Sequence, residues 1–134
     1  MSIRNLDKLF KPRSVALIGA NPSPGSVGAI VARNLRRAGF AGELMVDPNL
    51  VSQPQSPDLA VIITPPETVP CLLGELGERG TRAAVVITAG FGELGERGRA
   101  MQQAALDAAK PHLLRIVGPN CIGIMVPGIG LDAT

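Results

Sequence analysis

The stretch Val15–Gly28, VALIGANPSPGSVG, decides the fold. Val15 to Ile18 is continuously apolar, as a strand buried on both faces must be. Gly19 then opens a turn rich in glycine and proline. Ser26 is a hydroxyl residue placed to cap an amphipathic segment that runs to Ala38. Strand, glycine-rich turn and helix in that order form the first unit of a parallel α/β sheet.

Working outward, the same alternation recurs. Leu59–Ile63 (LAVII), Ala83–Ile87 (AAVVI) and Leu113–Val117 (LLRIV) read as further strands, and Glu43–Val46 as a weaker one. Helix patterns lie between them at Glu67–Arg79 and Leu94–Lys110, after the first at Ser26–Ala38. The expectation is a doubly wound α/β fold, a mainly parallel sheet of about five strands with helices on both faces. Gly39 and Gly42 close the first helix and Gly80 the second. Thr64 is placed to cap the second, and Pro70 is tolerable only in its first turn. The heptapeptide GELGERG occurs at Gly74–Gly80 and again at Gly92–Gly98, ending one helix and beginning another. Two copies in opposite roles are no structural repeat.

Composition narrows the function. A chain of 134 residues, 46% hydrophobic and 18% charged, suits one folded domain. No apolar run approaches the roughly 20 residues of a membrane helix, and the N-terminus lacks the apolar core of a secretory signal. The expectation is a cytoplasmic protein with no membrane partner. A net charge of +2 and three Phe with no Trp or Tyr offer neither a phosphate-neutralising surface nor a stacking platform, so nucleic acid is not expected. Cys71 and Cys121 lie far apart with a single His in the chain, which predicts no metal site and two reduced thiols, one or both buried. Pro48–Asp58, with three prolines, reads as a loop where a helix and strand could otherwise sit. The chain ends at Gly130–Thr134 without a closing helix, and both features suggest a domain taken from something longer.

In such a sheet, ligands bind beyond the carboxyl ends of the strands. Gly19, Ala20, Asn21, Ser23, Gly25, Ser26, Val27 and Gly28 fall there, their backbone amides available to a pyrophosphate at a helix start. The spacing is not GxGxxG. Asp47, Pro48 and Asn49 follow the second strand, where an acid either binds ribose hydroxyls or sits in a solvated turn. Thr64, Pro65 and Pro66, then Thr88, Ala89 and Gly90, place hydroxyls and constrained backbone at the next two strand ends. Asn120 follows the fifth. Cys121 reads as a packing residue; His112 lies at the opposite, amino end of that strand, which argues against a dyad. Arg33, Arg36 and Arg37 read as a solvated helix face.

Four strings together resemble the N-terminal CoA-binding domain of NDP-forming acyl-CoA synthetases: LFKPRSVALIGA (Leu9–Ala20), PGSVG (Pro24–Gly28), VITAGFGE (Val86–Glu93) and IVGPNCIGI (Ile116–Ile124). That domain is shared with ADP-forming acetyl-CoA synthetase, with multidomain protein lysine acetyltransferases and, more distantly, with the succinyl-CoA synthetase alpha subunit. The resemblance implies a Rossmann-type domain with coenzyme A as ligand and further domains of a parent chain as partners. It also implies CoA or acyl-CoA phosphates on the Gly19–Gly28 loop, adenine and ribose beside Thr64 and Pro65, and pantetheine along Thr88, Ala89 and Gly90. The GPNC turn would face the thioester chemistry. Two departures stand out. The family commonly has a VNPK-like string after the second strand, whose Lys helps hold the nucleotide, where this chain has Val46-Asp47-Pro48-Asn49. The family's phosphorylated His lies in a later domain and His112 does not match it, so this chain is expected to bind and not to catalyse. An NAD(P)-binding oxidoreductase domain and a non-catalytic CoA-sensing module are the alternatives.

Overall fold

Alternate residues of each central strand belong to opposite faces of one sheet, and the two cores follow from that period of two. The computed structural model describes residues 2–134. β1 (Ser14–Ile18), β2 (Glu43–Val46), β3 (Leu59–Ile62), β4 (Ala83–Val86) and β5 (Arg115–Val117) form a parallel sheet in the order β2-β1-β3-β4-β5. Its register aligns Val15 with Leu59, Leu59 with Ala83, and Ala83 with Arg115. On one face Val15, Leu17, Leu59, Val61, Ala83 and Val85 pack with α1 (Leu6–Phe10) and α2 (Val27–Arg37). On the other, Ala60, Ile62, Ala84 and Val86 pack with α3 (Val69–Arg79) and α4 (Glu96–Ala109). This is the doubly wound α/β fold expected, with β2 as one edge.

The helices dock through spaced apolar stripes. α2 buries Gly28, Val31, Ala32 and Leu35; α3 buries Val69, Leu73, Leu76 and Gly77. Both sets follow the three-and-four spacing of one helical face. Ser26 caps α2 as expected, its hydroxyl accepting from the Ala29 amide at 3.1 Å. Gly80 ends α3 at φ 109°, a left-handed value that glycine adopts without strain.

Several boundaries differ from the sequence reading. α3 starts at Val69, after a 3-10 turn at Pro66–Thr68, so Pro70 falls in its first turn. Thr64 is not its cap: the Thr64 hydroxyl accepts from Thr68 Oγ1 at 2.8 Å. Gly95 separates a 3-10 turn at Gly92–Leu94 from α4, which therefore begins at Glu96. Leu113 has φ 54° and ends a 3-10 turn, so β5 starts at Arg115 and not at Leu113. Neither thiol is fully buried: Cys71 is exposed and Cys121 is half-buried.

Two elements escaped the sequence reading. The N-terminal segment is latched by Arg115, whose guanidinium donates to the Ser2 and Arg4 carbonyls, and α1 sends Leu9 into the core. At the other end, β6 (Ile124–Val126) and β7 (Leu131–Ala133) form an antiparallel hairpin. It lies on the α2 face, where Asn34 Nδ2 donates to the Thr134 carbonyl at 2.7 Å. Leu131 is fully buried in the first core. Leu131→Ala should therefore cost about 2–5 kcal/mol in urea denaturation. Leu113→Ala, at an exposed site, should cost less than about 0.5 kcal/mol.

Candidate functional site

Sheet order reverses at β1, so the ends of β1 and β3 open a crevice at the carboxyl edge. Chain geometry there allows no side chain at two positions. A Cβ on Gly28 would stand 2.5 Å from the Gly19 carbonyl oxygen and 2.7 Å from the Ala20 carbonyl carbon. A Cβ on Gly19, at φ 96°, would stand 2.7 Å from the Ile63 carbonyl carbon. The first turn of α2 thus sits directly on the end of β1, which abuts the end of β3.

Between these contacts the loop is tied to itself. Asn21 Oδ1 accepts from the Ser23 amide at 3.0 Å, and the Ser26 hydroxyl donates to the Asn21 carbonyl at 2.7 Å. The Ser26 amide bonds to the Ser23 carbonyl at 3.1 Å. Ser26 Oγ takes the Ala29 amide, while the amides of Val27 and Gly28 have no preceding helical carbonyl to bond. Gly25, at φ 83°, has open space where a side chain would stand. These two amides and the positive end of the α2 dipole suit a pyrophosphate.

Asp47 works within the protein. Its carboxylate accepts from the Gly19 amide at 2.6 Å and from the Ala20 amide at 3.2 and 3.1 Å. The end of β2 is thereby clasped to the glycine loop, and two of the loop's amides are already satisfied. Asn49 closes its own turn, its Oδ1 accepting from the Val51 amide. Pro48 lies between them, half-buried.

The remaining strand ends are linked in series. Thr88 Oγ1 donates to the Thr64 carbonyl at 2.7 Å, and the Asn120 amide donates to the Thr88 carbonyl at 2.9 Å. Pro65 accepts from Thr68 through its carbonyl, and the Pro66 ring packs where a Gly90 Cβ would be. Ala89 is exposed beside them, and Asn120, at φ 55°, holds its side chain in solvent. The candidate residues therefore line one continuous edge.

Three further residues belong to this edge. Glu93, inside the VITAGFGE string, accepts a hydrogen bond from the Gly90 amide. That amide, then the residue's own, hold its carboxyl below the usual value against a smaller desolvation effect. Arg36 is exposed, as read from sequence, and also lines a cleft of about 480 Å³ with Ala20, Pro22, Ala29, Ala32, Val46 and Asp47. Met101 joins Pro66, Glu67, Gly90 and Leu94 around a second cleft of about 610 Å³. Glu93 could have been found as a carboxylate three residues beyond a loop glycine. Arg36 could not, because only the packing shows which side of α2 meets β2.

Cys121 is not an activated nucleophile. Burial pushes its thiol up, and Sγ lies 3.3 Å from the Val86 carbonyl. His112 packs against Gly77, before β5 begins, which leaves no dyad. Among the described residues no group of three or more His, Cys, Asp or Glu could hold a metal ion, and no helix is long and apolar enough to cross a membrane.

Comparison with known proteins bears directly on this edge. A family model described as CoA binding domain matches residues 13–127, which takes in every strand of the sheet. The chain belongs to the CoA binding domain family. Relatives of this CoA-binding domain include the alpha subunit of ADP-forming acetate–CoA ligase I of Pyrococcus furiosus, 34% identical over 147 residues. That match covers 97% of this chain and 32% of the relative. The ADP-forming 4-hydroxybutyrate–CoA ligase of Nitrosopumilus maritimus is 35% identical, over 87% of this chain and 18% of its own length. Among solved structures, the apo dinucleotide-forming acetyl-coenzyme A synthetase 1 of Ca. Korarchaeum cryptofilum superposes with a TM-score of 0.88 at 30% identity, over 96% of this chain and 31% of the other. The chain thus spans a third or less of these relatives. The Pyrococcus alignment is longer than the chain itself, so that relative carries residues this domain lacks. The fold is Rossmann-like, and an oxidoreductase reading is not favoured.

Glu93 gives a pH test of the domain's β4–α4 loop. A carboxyl lowered on folding stabilises the loop above its unfolded-state pKa, and that contribution is lost as pH falls through the lower folded value. On acidification the Gly90 amide resonance should titrate with a midpoint below that of an unfolded glutamate, and Glu93→Gln should abolish the transition. A midpoint at or above the ordinary glutamate value would contradict the assignment.

Proposed function

We propose that this chain is the CoA-binding domain of an NDP-forming acyl-CoA synthetase of the ADP-forming acetate–CoA ligase kind. The observation that carries the proposal is the family match over residues 13–127 falling on an edge whose helix start presents the Val27 and Gly28 amides. CoA, when bound, supplies the thiol that carries an acyl group as a thioester. The chain's own residues position it. The loop of Gly19, Ala20, Asn21, Ser23, Gly25 and Ser26 shapes the pyrophosphate seat, with Val27 and Gly28 donating. Thr64, Pro65 and Pro66 border the adenosine. Thr88, Ala89 and Gly90 border the pantetheine, beside the cleft that Pro66 and Gly90 share. Asn120 offers its exposed side-chain amide near the thiol end.

Acyl activation belongs, on this reading, to further domains or subunits, in keeping with relatives of which this chain spans a third or less. The protonated, half-buried Cys121 thiol supports a binding role for this part. Two unpaired cysteines suit a cytoplasmic setting.

Calorimetric titration with CoA and with NAD tests the proposal, since no Trp is present for fluorescence. CoA should bind at micromolar strength, roughly −8 kcal/mol, and well ahead of NAD. NAD binding more tightly than CoA would return Asp47 to a ribose role and overturn the reading. Failure of both at millimolar concentration would mean that the Asp47 clasp leaves too few free amides, and that the fold alone was inherited.

A further inference from the structure

The groove beside β2 holds a cation that the strand-end motifs do not account for. One wall is the face of α2 formed by Ala29, Ala32 and Arg36, three and four residues apart; the other is Val46 and Asp47, with Ala20 and Pro22 across the top. Two alanines keep the α2 wall low and leave about 480 Å³ open. Arg36 is exposed and lines this groove together with Ala20 and Pro22 of the glycine loop. Helical side chains as a rule lean toward the helix N-terminus, which is the loop end of the groove. Among the described residues Arg36 forms no ion pair, the salt bridges being Lys8–Asp58 and Arg79–Glu75. Asp47, the one carboxylate on the opposite wall, is turned onto the Gly19 and Ala20 amides.

A pyrophosphate at the start of α2 directs the attached ribose toward the end of β2, where this groove begins. A ribose bearing a phosphate there meets a carboxylate already bonded to backbone and a guanidinium that is unpaired. We propose that Arg36 is the cation that recognises the ribose phosphate of the bound nucleotide, and that it is the specificity-determining residue for a 3′-phosphorylated ligand. The inference rests on the CoA-binding reading. It places on α2 the positive charge that the Val46-Asp47-Pro48-Asn49 turn does not supply. Arginine suits the task because its planar fork can give two parallel hydrogen bonds to one phosphate.

The test is calorimetric titration of the chain and of its Arg36→Gln and Arg37→Gln variants with CoA and dephospho-CoA. Arg37 is exposed, on the same helix, and outside the groove. The unaltered chain should prefer CoA by about tenfold or more, as a charge-assisted contact implies. Arg36→Gln should bring that ratio close to one while leaving dephospho-CoA affinity within about twofold, and Arg37→Gln should keep the preference. A ratio that survives Arg36→Gln overturns the inference. So does equal loss of both ligands, which would mark Arg36 as a groove wall only, or an equal loss of preference in Arg37→Gln, which would mark a general charge effect. If the unaltered chain binds both ligands equally, the inference falls and the CoA reading stands. If it binds neither, both fall.

Discussion

The geometry of the carboxyl edge depends on one close approach, the first turn of α2 against the end of β1. No Cβ fits at Gly28 because the Gly19 and Ala20 backbone occupies its space, and none fits at Gly19 because the Ile63 and Thr64 backbone does. Three main-chain segments are therefore stacked without intervening side chains. That stacking brings the helix N-terminus, with its partial positive charge and unbonded amides, to the crevice where the sheet order reverses. A larger residue at either position would move the helix outward and separate the charge from the crevice. The fold and the placement of the helix N-terminus are one constraint.

From that approach the edge is joined in sequence. Asp47 ties β2 to the glycine loop, Gly19 abuts Thr64, Thr88 bonds to Thr64, and Asn120 bonds to Thr88. Every link uses backbone on at least one side, so the strand ends are positioned by groups that any side-chain substitution elsewhere leaves in place. Carboxylates do part of this work. Asp47 holds the Gly19 and Ala20 amides and Glu93 holds the Gly90 amide, which pre-organises both loops and reduces the ordering a ligand must drive. The amides so engaged are already bonded within the protein, whereas those of Val27 and Gly28 at the start of α2 have no preceding helical carbonyl.

Much of this was legible in the sequence because it is periodic or carried by punctuation. The strands were recognisable from their apolar runs, α2 from Ser26 and the spacing of Val31, Ala32 and Leu35, and the family from four strings in order. What was not legible has a common physical character. The β6–β7 hairpin is short, and Met125 at the middle of β6 is exposed, so Ile124–Val126 lacks the signal of a buried strand. α1 is a single turn and a half whose one deeply buried residue is Leu9. Thr64 reads as a cap, yet the two prolines after it force a 3-10 turn and move the helix start to Val69. The destination of the Asp47 carboxylate and the groove beside Arg36 are tertiary facts, set by which elements meet.

The short β2–β3 connection links these observations. With no strand beyond it, β2 is an edge of four residues, and edges that short resist further pairing. The connection is anchored at its far end by Asp58, whose carboxylate accepts from the Arg13 amide and pairs with Lys8 at 3.2 Å, and whose own amide donates to the Ser14 hydroxyl oxygen. It is held near its middle by Arg79, which donates to the Leu50 carbonyl. The segment is thus drawn toward the amino ends of β1 and β3, away from the carboxyl edge. The segment from Asp47 to Asp58 contains no Lys or Arg and so supplies no cation to the groove beside β2. The remaining walls of that groove are the tip of β2, already committed to the loop amides, and the face of α2. Among the residues that line the groove Arg36, on the helix, is the one cation.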